Sequence, residues 1–260
     1  MFGLRSHTEG IFYGVIFDIG SESIGVSIIE SDRSKKLPIV IFSHRVHLRI
    51  PKLAQSTAEY TRHMREALFS ASLILSRDGL EALGLHNNHA HIGKILVTCT
   101  SPWSYTISRN VQYESENEIK ITRDLVDDLV KSAESEIATQ IQSEKDNAHD
   151  LFEVVERATV DVRINDYSIQ NPIGLRGTTV SLAHITGLIP SDIIKAVYEV
   201  QKKIFPNVEI RAHTFLLVLY CVLRDLFPKT ESLCIINVAP EATEFGIVLQ
   251  KLSPQSFFLQ

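Results

Sequence analysis

G-V-I-F-D-I-G-S-E-S-I-G-V-S-I-I-E, residues 14–30, is the stretch on which the fold turns. An apolar run ends at Ile19, a Gly-Ser-Glu-Ser break follows, and a second apolar run goes from Ile24 to Ile29, the pattern of two strands joined by a tight turn. Gly20 can take a positive φ and lets the backbone approach a ligand closely, and the N–H groups of residues 20–23 with the Ser21 and Ser23 hydroxyls could cradle phosphate oxygens. Asp18, at the end of the first strand, suits a hydrated Mg²⁺, which prefers one carboxylate plus waters and phosphates to an all-protein cage. An ordinary hairpin with a polar turn and a strand-end aspartate accounts for the same residues, and D-x-G-S alone favours that plainer reading.

Composition narrows the class. With 260 residues, 44% hydrophobic and 22% charged, the chain reads as soluble and globular, with one large or two smaller domains. A net charge of -5 without a basic stripe argues against a nucleic-acid partner. Cys99, Cys221 and Cys234 form no C-x-x-C pair and are expected to be small buried residues in a reducing cytoplasm. No apolar run approaches the roughly 20 residues of a membrane span, and the N-terminus lacks signal-peptide regions, so a cytosolic or at most peripheral protein is expected.

Working outward, residues 1–10 are polar and expected to fray, and residues 38–50 read as a third strand. Residues 55–75 place Ala58, Met64, Ala67, Leu68, Ala71 and Leu75 at helical spacing, so a covering helix is expected on the sheet. In L-H-N-N-H-A-H-I-G, His86, His89 and His91 could converge on a metal, but a polar loop entering the strand 94–100 explains them better. A Ser-Pro-Trp break leads to a strand with Tyr105, Ile107, Val111 and Tyr113 and an expected bulge or bend near residues 108–110. A helix over 121–141 follows, with Thr122 as N-cap; Asp127, Asp128, Glu134 and Glu136 on its far face read as a solvated surface rather than as catalytic carboxylates. Residues 143–150 are a polar loop, 152–164 a strand, and N-D-Y-S-I-Q-N-P-I-G-L-R-G a turn-rich connection.

The chain then gives a strand at 178–186, a helix at 191–204 with Ser191 as N-cap, a short strand at 208–210 and an apolar helix at 212–226. S-L-C-I-I-N-V-A-P-E-A-T-E-F-G-I-V-L repeats the opening device of strand, turn and strand. Two such hairpins facing one another across a cleft would form a phosphate clamp.

This ordered series, together with N-P-I-G-L-R-G at residues 171–177 and S-D-I-I-K-A-V-Y-E-V at 191–200, resembles the bacterial actin-fold proteins FtsA, of cell division, and PilM, of type IV pilus assembly. The most specific piece is similar to the N-P-x-G-L-x-G that closes the inserted domain of FtsA. The resemblance covers residues 14–250 and implies an α/β fold: an actin-like, ribonuclease H-like lobe with a small inserted α+β domain and an incomplete second lobe. Its parts would be 11–92 and 178–230 for the lobe, 93–177 for the insertion and 231–260 for the start of a truncated second lobe.

By the same resemblance Asp18, Gly20, Ser21 and Ser23 fall on the first phosphate loop, with Asp18 toward Mg²⁺. The second loop, D-x-G-G-G-T-x-D in the family, falls on Asn237, Ala239, Pro240, Glu241, Thr243 and Glu244. Asparagine there removes a charge that would favour Mg²⁺, and Pro240 has no N–H to offer a phosphate. The family also continues beyond this length with an adenosine-binding loop and a C-terminal amphipathic helix. Phe257, Phe258 and Leu259 therefore read as a strand whose partners are missing, and the chain as a fragment or a gene that has lost a lobe.

The resemblance implies a cytoplasmic scaffold at the inner face of the cytoplasmic membrane, binding cell-division or pilus-assembly proteins (FtsZ-like or membrane-anchored peptide partners). The inserted domain, with Trp103 and Tyr105, would supply the recognition surface unless Trp103 only fills a junction. Weak binding of ATP and Mg²⁺ is the expectation that remains. The alternative is an ATP-dependent switch, ATPase or kinase of the actin/Hsp70/sugar-kinase superfamily, for which the eroded second loop and the lack of an identifiable catalytic base are unfavourable.

Overall fold

Residues 14–30 fold as the hairpin their pattern predicts: β1 (Ile11–Ile19) pairs antiparallel with β2 (Ser23–Asp32), Ile19 opposite Ile24. The computed structural model describes residues 10–35, 37–48, 57–145, 152–230, 232–240, 242–249 and 257–259. The N-terminal residues 1–9, the expected helix start at 55–56, most of the loop 143–150 and Glu241 lie outside them. The chain continues through β3 (Ile39–His47), α1 (Thr57–Ile74), a π-helical turn (Leu75–Gly79), α2 (Leu80–His86), β4 (Ile92–Cys99), β5 (Tyr105–Lys120) and α3 (Arg123–Lys145). Then come β6 (Phe152–Ile164), β7 (Tyr167–Ser168), β8 (Arg176–Pro190), α4 (Ser191–Ile204), β9 (Glu209–Thr214), α5 (Phe215–Leu226), β10 (Ser232–Val238), β11 (Thr243–Leu249) and β12 (Phe257–Leu259). The α/β class expected from the sequence is the class observed.

Two compact units divide the chain, residues 1–98 with 195–211 and residues 99–194 with 212–260. The first unit is built on a five-stranded sheet of order β3-β2-β1-β4-β9. Period-two alternation sends Val15, Phe17, Ile19, Ile24, Val26 and Ile28 into the core, where α1 supplies Met64, Leu68 and Ala71 from one helical face. Each such aliphatic side chain stabilises the fold by about 1.5–3 kcal/mol relative to an exposed position. Arg65 pairs with Glu199 at 3.4 Å, and Lys203 lies 4.6 Å from the Phe69 ring centroid, tying α4 to α1. The helix α2 was not foreseen. Gly84 within it and Gly79 just before it lower the helical propensity, yet a Cβ at Gly79 would stand 3.0–3.2 Å from Leu75, Phe42 and Ile28, so close packing outweighs propensity there. The strand β4 belongs to this sheet.

The second unit holds a four-stranded sheet of order β5-β8-β6-β7 and a three-stranded sheet β10-β11-β12. Against the first sheet α3 buries Leu129 and Ala133 on Val111, Leu182 and Val180, while α5 buries Leu216 and Leu217 with Ala183, Ile185, Ile235 and Val248. Thr122 caps α3 as expected, its hydroxyl accepting the Leu125 N–H at 3.2 Å.

N-P-I-G-L-R-G earns its residues physically. Gly174 has φ +91°, its N–H bonds to the Ile121 carbonyl, and a Cβ at Gly177 would meet Ile164 at 2.3 Å. The motif thus ties the entry of β8 to the start of α3.

Several expectations are corrected. The register of β5 against β8 is continuous from Tyr105 to Glu114 and shifts only between Glu114 and Ile119, so there is no bulge at 108–110. Trp103 is buried at 3% exposure and offers no recognition surface, whereas Tyr105 is 47% exposed. Cys99 is buried but Cys234 is exposed. The strand expected to lack partners, β12, pairs antiparallel with β11.

Candidate functional site: the two polar turns

The first turn closes on itself. Gly20 donates its N–H to the Ser23 carbonyl at 2.9 Å. Gly20 does not use its freedom to take a positive φ; its lack of a side chain matters because a Cβ would sit 3.1 Å from that carbonyl oxygen. Ser21 is buried at 3% exposure, and Glu22 accepts the Leu48 N–H at 2.7 Å.

Asp18 has a partner that sequence reasoning missed. Pairing places Asp18 opposite Gly25 and Gly25 opposite Arg45, one row across three strands. With no Cβ on Gly25, the Arg45 side chain crosses it: a Cβ there would lie 3.0 Å from Nη2. Arg45 Nη2 then donates to Asp18 Oδ2 at 2.8 Å and Nη1 to Ser23 Oγ at 2.8 Å. On the other side, Thr98 Oγ1 of β4 lies 3.4 Å from Asp18 Oδ1. A glycine inside a strand marks close approach by another group. Gly25 was therefore the available signal for Arg45.

The second turn repeats the first in register. Val238 pairs with Thr243 as Ile19 pairs with Ile24, and Ala239 donates its N–H to the Ala242 carbonyl at 3.0 Å. Asn237 stands where Asp18 stands and Glu244 where Gly25 stands. Asn237 Nδ2 donates to Glu244 Oε2 at 2.8 Å, and the Ser101 N–H donates to Glu244 Oε1 at 3.1 Å, so the buried Glu244 carboxylate is engaged at both oxygens. Thr243 is exposed, as is Pro240.

A hydrated Mg²⁺ suits a carboxylate free to accept its waters. Asp18 gives one oxygen to a guanidinium and the other to a threonine hydroxyl, while Asn237 contributes no charge. As arranged, these residues do not fit the metal.

The other candidate residues separate. His86 bonds Glu30 through Nε2 at 2.7 Å, and no group of three metal-ligating side chains occurs among the described residues. On α3, Asp128 pairs with Lys131, Glu134 with Arg157 and Glu136 with Arg109, which makes that face an ion-paired surface. Glu134 also lies 3.8 Å from Nε2 of the buried His184, whose pKa burial pushes below its ordinary value.

No protein-family model and no curated protein sequence matches the chain. Solved structures do. A PilM–PilN type IV pilus biogenesis complex is similar over 97% of this chain and 60% of its own, at 11% identity and a TM-score of 0.45. A Bacteroides thetaiotaomicron protein with an actin-like ATPase fold and unknown function is similar over 95% of this chain and 68% of its own, at 11% identity and a TM-score of 0.44. An Aquifex aeolicus member of the Ppx/GppA family is similar over 96% of this chain and 51% of its own, at 7% identity and a TM-score of 0.38. The chain spans 60% of the first and about half of the Aquifex protein.

Proposed function

We propose that this chain is an actin-like scaffold of the FtsA/PilM type, acting by protein–protein interaction and not by nucleotide turnover. The observation that carries this reading is the Arg45 guanidinium seated on Asp18 and Ser23, the groups a metal-bound phosphate would need. Phosphoryl transfer depends on positioned phosphates and metal charge. Both turns instead spend their polar groups on their own strands, and Asn237 removes the second charge. Support for the FtsA/PilM type comes from the order of motifs and from N-P-I-G-L-R-G, whose glycines have defined structural roles.

In this reading the inserted domain begins after β4, which belongs to the first unit's sheet, and includes the sheet of β5, β8, β6 and β7; the partners are cell-division or pilus-assembly proteins, and the chain works at the inner face of the cytoplasmic membrane. No described helix is long and apolar enough to cross a membrane. An ATP-dependent switch is the competing reading, favoured by the shared four-residue closure of the two turns. Phosphate release from Mg-ATP, measured on the wild type and on Asp18→Ala, separates the two. No turnover sensitive to Asp18 supports the scaffold, and turnover abolished by Asp18→Ala overturns it.

A further inference from the structure

Away from the two turns, the first unit carries an open pocket of about 610 Å³ lined by Ile11, Tyr13, Glu30, Gly84, Leu85 and His86, among others. Its floor is charged. Glu30 is only 6% exposed, and its Oε2 accepts the Tyr13 hydroxyl at 3.2 Å and stands 2.7 Å from His86 Nε2. Tyr13 is itself held, accepting from Asn87 Nδ2 at 3.0 Å, and Asn87 accepts the His89 N–H at 3.0 Å. These bonds converge on one oxygen of the carboxylate.

The other oxygen is left short. Among the described residues Glu30 Oε1 has no hydrogen bond; the nearest cation is Lys35 Nζ at 3.8 Å, on a side chain half exposed to solvent. An ionised carboxylate accepts about four hydrogen bonds, so Oε1 has acceptor capacity left for a cation that enters the pocket. The His86 contact, with the Tyr13 hydroxyl, keeps Glu30 below the ordinary carboxylate range, so it stays charged. The rim is apolar: Leu85 is 84% exposed and Ile11 53% exposed, and nothing stands within 4 Å of a Cβ built on Gly84.

We propose that this pocket receives a basic side chain of a partner polypeptide, its aliphatic stem on Ile11 and Leu85 and its cationic head on Glu30 Oε1. Long basic side chains combine these two parts, apolar methylenes and a hydrogen-bonding cation. Lys35 is the pocket's own weak counter-ion and is displaced when the partner arrives. That the cation belongs to a polypeptide rests on the scaffold reading; the charge and shape of the pocket do not.

The test uses N-acetyl-arginine methylamide against its uncharged citrulline analogue, followed by amide NMR shifts of Gly84, Leu85 and Asn88 in the full chain. The arginine compound is expected to bind in the range of about 1–10 mM, as suits a small ligand with one charged contact. The citrulline compound and Glu30→Gln should each weaken binding by at least about tenfold, the scale of losing one member of a desolvated charge pair. Lys35→Ala, at an exposed position that leaves folding intact, should tighten it by roughly two- to fivefold, since a competing cation is gone. Equal affinity for both compounds, no binding up to about 100 mM, ten times the weakest value expected, or unchanged affinity in Lys35→Ala overturns the proposal. Failure here leaves the ATP experiment standing, and Asp18-dependent turnover in a chain that still binds arginine would remove the scaffold reading while keeping the pocket.

Discussion

The Arg45 guanidinium lies 2.8 Å from the Asp18 carboxylate, reaching it across a strand whose intervening residue, Gly25, has no side chain. The cation therefore sits beside the aspartate within the protein's own sheet. Its partner turn solves the same problem differently, with Glu244 beside an asparagine.

The ion pair should matter more for ligand choice than for folding. Arg45 and Asp18 are 50% and 32% exposed, so solvent screens them and Arg45→Gln should lower stability by no more than about 1 kcal/mol. Urea unfolding at neutral pH checks this; a larger loss would make Arg45 a structural residue.

Asn237→Asp should place two carboxylates about as close as the present 2.8 Å contact between Asn237 and Glu244. The lost donor and the like-charge repulsion should destabilise the chain by about 1–3 kcal/mol without divalent cations. Added Mg²⁺ should raise the melting temperature of this variant and not that of the wild type. A variant as stable as the wild type and indifferent to Mg²⁺ would contradict the contact.

Gly187 faces Glu156 at a break in the register of β6 against β8, and a Cβ there would come within 2.4 Å of Glu156 Oε1. Glu156 cannot move away freely, because it accepts the Thr214 N–H at 2.9 Å and the Thr214 hydroxyl at 2.5 Å, and lies 2.7 Å from His213 Nδ1. Gly187→Ala should therefore destabilise by about 1–3 kcal/mol, as overpacking does. In a Glu156→Ala background most of that loss should vanish, and a double-mutant cycle measures the coupling.

His184 gives a pH signature. Burial holds its folded pKa below the ordinary value of 6.5, so the unfolded chain takes up the proton first. Its contribution is fully present above pH 6.5 and is lost as pH falls from there through the folded pKa. The stability difference between wild type and His184→Asn should shrink over that interval, read by urea unfolding at a series of pH values. A difference independent of pH between 7 and 5, about the interval where an unperturbed histidine titrates, would show that His184 is not buried as described.

Sequence reasoning reached the elements whose signal is local. The hairpin of β1 and β2 and the helix α4 follow from alternation and capping; α4 has the expected bounds, and the hairpin turns where expected while its strands run farther at their outer ends, to Ile11 and Asp32. Gly25 signals that some group lies close to β2, but that the group is Arg45 depends on register across three strands, which no local pattern encodes. The helix α2 was hidden by Gly79 and Gly84, and the absence of a bulge at 108–110 by polar residues that alternate less cleanly than Ile and Val. Glu30 and His86 are 56 positions apart in sequence, so the pocket they share exists only in the fold.

The most direct test of the central claim is calorimetric titration of ATP into the wild type and Arg45→Gln, each with and without Mg²⁺. If the guanidinium holds the place of a metal, the wild type shows no binding strengthened by Mg²⁺, and Arg45→Gln, with Asp18 released, gains such a dependence. Mg²⁺-dependent binding by the wild type, lost in Asp18→Ala and unchanged in Arg45→Gln, would contradict the account.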